Sequence, residues 1–188
     1  MIACLTRRAF RLCLAVGGLL CIANLAACSP QYNWREWTAE DGAVRAFFPA
    51  RPQTEQRVVT LAEAELDYRM TVATVNDAMF AVAQAALSAG DRGDPARAVT
   101  IARAVGRGVY TSLQATPPDP LPVDGTVLTI QGQGARAGTW ATVRVWVTPQ
   151  AVIEAIALGG TDALPAEQAQ QFVSQVVVPA AIAGTARP

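Results

Sequence analysis

The sequence predicts an α+β domain, a mainly antiparallel sheet of about six to eight strands flanked by two helices. Three observations carry this. Short apolar or alternating runs recur between turn signals, as strands do. Two longer stretches repeat their apolar residues at helical spacing instead. The order reads five strands, a helix, three strands and a helix, with no internal repeat.

Residues 34–38 and 43–48 read as a strand pair joined at Asp41-Gly42, a dipeptide suited to a tight turn. Pro49 and Pro52 punctuate, and residues 54–61 form the third strand. In the fourth, 63–75, Ala64, Leu66, Tyr68, Met70 and Val72 face one way. Glu63, Glu65, Asp67, Arg69 and Thr71 face the other, which is expected to be solvated. Asn76-Asp77 turns the chain into a fifth strand, 79–87, and 88–93 is a loop.

Asp94-Pro95 opens the first helix, with an acid at the N-cap and proline in the first turn. Its stripe is Ala98, Ile101, Ala102, Val105, Val109 and Leu113, while Gly106 and Gly108 weaken it or allow close packing on a sheet. A proline-rich connection, 116–122, leads to strands at 126–131, 139–148 and 151–158. The glycine-rich segment 132–138 and Pro149-Gln150 separate them. Asp162 and Pro165 start the second helix, whose stripe is Ala169, Phe172, Val173, Val176 and Val177, and Pro179 ends or kinks it.

Ahead of this domain the chain has the form of a bacterial lipoprotein leader. Arg7, Arg8 and Arg11 give a positive start, and an apolar run of about 15 residues follows, short of the roughly 20 that span a bilayer. It closes on Leu25-Ala26-Ala27-Cys28, an aliphatic residue and two small ones before a cysteine. The expectation is a signal peptide over 1–27, cleavage between Ala27 and Cys28, and lipid on the Cys28 thiol. Thr6-Arg7-Arg8-Ala9-Phe10 also resembles the start of a twin-arginine signal, so both export routes stay open. Residues 28–33 then form a tether, 34–184 the domain and 185–188 a tail. Ser29 stands where an aspartate would signal inner-membrane retention, so an outer-membrane anchor facing the periplasm is expected, with the inner membrane as alternative.

Composition excludes much chemistry. The chain has no histidine and no lysine, which removes imidazole base catalysis, serine–histidine and serine–lysine nucleophiles, and nearly all zinc or copper sites. Cys4, Cys13 and Cys21 leave with the leader, so the mature domain has no disulfide and no thiolate. Removal of 1–27 leaves 12 arginines against 15 acids, which argues against nucleic acid. No enzyme activity, cofactor or metal is expected.

Three constellations remain. Glu63, Glu65 and Asp67 share a strand face, yet an extended strand rarely wraps a cation, and a solvated row is the better reading. The 132–138 loop joins strand to strand rather than strand to helix, so it reads as a hairpin loop and not a phosphate cradle. Trp140, Arg144 and Trp146 share one face of a strand, residue types enriched at binding hot spots. The better reading is that the second helix layer covers them as core with the Arg144 stem packed alongside, and a binding surface on this face is the alternative.

The opening of the domain, with Trp34, the Asp41-Gly42 turn and Phe47-Phe48-Pro49-Ala50-Arg51-Pro52, resembles that of PsbP-like domains in small bacterial exported proteins. The end is similar too: strands at 140–147 and 152–157, Gly159-Gly160, then a helix carrying Phe172-Val173-Ser174. The resemblance spans most of the mature chain through structural motifs. It implies an α/β/α sandwich with an accessory role and carries over no site residue. The expected function is a membrane-anchored interaction module for an envelope protein partner, with binding of a small apolar ligand between sheet and helix as the alternative.

Overall fold

Alternation and turn chemistry place eight strands in two antiparallel sheets. β1 (Arg35–Thr38) pairs with β2 (Arg45–Phe48). β3 (Gln53–Leu61), β4 (Ala64–Val75), β5 (Ala78–Ala86), β6 (Leu128–Gln131), β7 (Thr139–Val147) and β8 (Ala151–Gly160) form a six-stranded sheet in the order β3-β4-β5-β8-β7-β6. The helices are α1 (Ala89–Arg92), α2 (Pro95–Ser112) and α3 (Ala166–Ser174), and the α+β class follows. The computed structural model describes residues 31–39, 42 and 44–178. The expected leader, the expected cleavage site at Ala27–Cys28 and lipid site at Cys28, together with Asp41, Pro179 and the tail, lie outside the described residues. Among the described residues no helix is long and apolar enough to cross a membrane.

The six-stranded sheet separates two cores. On one face α3 and the β1–β2 pair cover Phe80, Val82, Trp140, Trp146, Ile153 and Ala155. Aromatic rings fill this layer: Phe172 lies 5.3 Å from Phe48 and 5.4 Å from Phe80 between ring centroids, and Trp37 meets Phe48 edge-on at 5.8 Å. Tyr32, inside the stretch expected as tether, stacks on Trp34 at 6.2 Å and joins the same layer. On the opposite face α2 buries the expected stripe from Ala98 to Leu113 against Ala81, Val143, Val145, Val152 and Ile156. The Asp94 side chain caps this helix by accepting from the backbone N–H groups of Ala96 and Arg97.

Four of the differences from the expected boundaries have a clear local reason. β4 begins at Ala64 because Ala62 and Glu63 both take positive φ, +49° and +62°, and make the β3–β4 turn themselves. Residues 89–92 are helical rather than loop, since the Ser88 hydroxyl accepts from the Asp91 backbone N–H. β6 starts at Leu128 because the Asp124 carboxylate accepts from the backbone N–H and hydroxyl of Thr126, which curls the chain there. α3 stops at Ser174, and Val177 instead exchanges two backbone hydrogen bonds with Arg45. The polar face of β4 is also only half solvated. Glu65 and Asp67 are exposed, but Thr71 is buried and shares a hydroxyl hydrogen bond with Thr54.

Candidate functional site

The contact between α2 and the sheet is tight at one side and open at the other. α2 lies over β7 and β8. At Gly106 a Cβ would stand 2.7 Å from Leu121 Cδ2 and 3.1 Å from Val145 Cγ2, so only glycine lets the helix approach this closely. On its open side the helix presents Ala104, Val105, Gly108, Val109 and Ser112, and a Cβ on Gly108 would meet nothing within 4 Å. Short side chains there cannot fill the space above the outer strands, and a cleft of about 360 Å³ remains. Its walls are Val59 and Leu61 of β3, Met70 of β4, Met79 of β5, Ile156 and Leu158 of β8, and Val105 and Val109 of α2. That volume is within the range of small-molecule sites.

Few polar groups enter this space: Arg57, Tyr68, Ser112 and Glu154. Glu154 sits on β8 opposite Ala83 of β5 and Val145 of β7, and its side of the sheet faces α2. Only 2 % of the residue is exposed, and its Oε1 has no hydrogen-bond partner. Burial pushes its carboxyl up to about 8, so it holds a proton at neutral pH. Tyr68 is pushed up to about 12, first by burial and then by the Glu154 carboxylate, with the Arg57 guanidinium acting the other way. Arg57 lies 5.6 Å from the centre of the Tyr68 ring. The cleft is therefore an apolar wedge with one unpaired acid and a phenol that keeps its proton. It offers recognition by one strong hydrogen-bonding group, without a second carboxyl for paired acid–base work.

The residues singled out from sequence lie elsewhere. Trp140 and Trp146 are buried on the opposite face and belong to the core that includes α3. Arg144, between them, donates from Nε to the Gly125 carbonyl at 2.6 Å and from Nη1 to the Val173 carbonyl at 3.0 Å. Its guanidinium also lies 4.5 Å from the Trp146 ring centre. The trio thus packs as core, and Arg144 ties the last turn of α3 to the segment before β6. Gly125, at φ +86°, leaves room for the Trp146 indole, into which any Cβ would run. Glu63 lies in a turn, apart from the strand row of Glu65 and Asp67. The 132–138 loop joins β6 to β7 through a 3₁₀ turn, Gly134–Arg136. Among the described residues no group of three or more histidine, cysteine or acidic side chains could hold a metal ion.

Sequence reasoning passed over Glu154. The one signal was a lone acid inside the otherwise uncharged run of 151–160. Two other depressions, of about 530 and 390 Å³, are lined by residues such as Gln56, Gln84 and Gln150 or Thr129, Gln131 and Gln170. Among the described residues neither contains an unpartnered buried group. No protein-family model matches the chain, and no curated protein or solved structure shows significant similarity to it.

Proposed function

We propose that this chain is an exported lipoprotein, anchored through Cys28 and facing the periplasm, whose PsbP-like domain binds a small apolar ligand without catalysis. The observation that carries the ligand reading is the cleft of about 360 Å³ between α2 and the outer strands, walled by aliphatic side chains and methionines. The alternative, docking to an envelope protein, loses its candidate surface, because α3 and the core occupy the Trp140/Trp146 face. What favours docking is the edge of the sheet. β3 runs nine residues along that edge and exposes Val58 at 61 %.

The test is native mass spectrometry of the protein taken from its own envelope in an amphipathic polymer. A small apolar adduct is expected on wild type and absent from Gly108→Trp, whose indole enters the open side of the cleft. If no adduct is found and apolar probes also fail to bind, the ligand reading falls. Cys28→Ser should remove the acyl mass and release the chain from membranes; unchanged membrane extraction would overturn the anchor.

A further inference from the structure

An apolar cleft needs no acid at its base. Burying a carboxyl without a partner costs free energy that an aliphatic side chain at position 154 would not. The cost is unrelieved inside the protein, since Glu154 Oε1 has no hydrogen-bond partner. The remaining polar residues on the lining, Arg57, Tyr68 and Ser112, make no hydrogen bond or ion pair to it. A group of this kind asks for a donor from outside.

We infer that the cleft selects an amphiphile that enters head first, its apolar body against α2 and the outer strands and its N–H or O–H donor on the Glu154 carboxyl, a primary amine binding best. This rests on the reading of the cleft as a ligand site. A primary amine takes the proton of the buried acid, and the ammonium so formed, with three donors and no acceptor, has the Glu154 carboxylate as the one anionic partner in the lining. A hydroxyl makes a single neutral hydrogen bond and ranks second. A carboxylate head can accept only the single Glu154 O–H and would bury its charge with no cation at the base, which excludes it; Arg57, at the exposed edge strand, is its only cationic partner in the lining.

The chain has three methionines, and two of them, Met70 and Met79, line the cleft. Their ε-methyl NMR signals therefore report occupancy in the full-length lipoprotein held in a lipid nanodisc. The probes are n-octylamine, n-octanol and n-octanoate. Both methyls are expected to shift with octylamine at the lowest concentration, with octanol about tenfold higher and with octanoate not at all. Glu154→Gln, which keeps the shape and removes the acid that can give its proton to the amine, should bring octylamine to the level of octanol. Equal binding of all three probes to wild type, or tightest binding of octanoate, overturns the donor inference and leaves the apolar site standing. If no probe moves either methyl, the ligand site itself is overturned.

Discussion

The two faces of the six-stranded sheet solve the same packing problem with different material. The face under α3 uses large rings, with Phe172 against both Phe48 and Phe80, and it secures the half-buried Arg144 with two carbonyls and an indole. The face under α2 uses alanines, valines and glycines on the helix and leaves both a cleft and an unpaired acid. Side-chain volume on the covering element decides which face is closed. The α3 face also leaves the Tyr32 hydroxyl and Gln168 Oε1 without partners, so what sets the α2 face apart is an unpaired acid that lines an open cleft.

The largest effect is expected where the rings meet. Phe172 is fully buried, and Phe172→Ala should cost about 3–5 kcal/mol through lost burial and a residual cavity. Urea unfolding of the two proteins gives the difference; a loss under about 1 kcal/mol would show that this face is no better packed than the other.

Next comes pH. When unfolded, Glu154 loses its proton near the ordinary value of 4.5, whereas in the fold it holds it up to about 8, so between those values the folded state binds more protons. Stability contributed this way is complete below pH 4.5 and is lost as the pH rises through 8, a loss of roughly 3–4 kcal/mol between pH 5 and 8. Denaturant midpoints measured across that range should fall in wild type and stay nearly level in Glu154→Gln. Parallel profiles would mean that the acid is not held neutral by burial.

The smallest effect separates two glycines of α2. Gly108→Ala meets no atom within 4 Å and should gain about 0.5–1 kcal/mol of helix propensity. Gly106→Ala gains the same propensity but must displace a Leu121 methyl and crowd Val145, so it should be the less stable of the pair. Thermal midpoints of the two variants check the order, and its reversal would place the open side of the cleft at the wrong end of the contact.

The strand order along the chain was legible because alternation and turn residues coincide, as at Asn76-Asp77, where both residues take positive φ. Ala62-Glu63 makes an equivalent turn from residues without turn chemistry, and there the boundary was missed. The helix stripes were legible from spacing, but which face each helix covers was not. That choice decided the fate of Trp140 and Trp146, whose residue types suit a hot spot or a core equally well. The cleft was invisible for a related reason. It arises from where α2 stands over the sheet, and no local pattern in the helix records that position. Only the isolated charge of Glu154 within an apolar strand gave a readable trace of it.

The clamp at Arg144 also bears on motion. Lifting α3 would break the charge-assisted hydrogen bond from Arg144 of β7 to the Val173 carbonyl, while α2 meets the sheet through apolar side chains, the Tyr110 ring among them. The domain therefore has a hinge side and a door side. Breathing that admits a guest wider than the cleft belongs to α2, while α3 stays seated on the opposite face of the sheet.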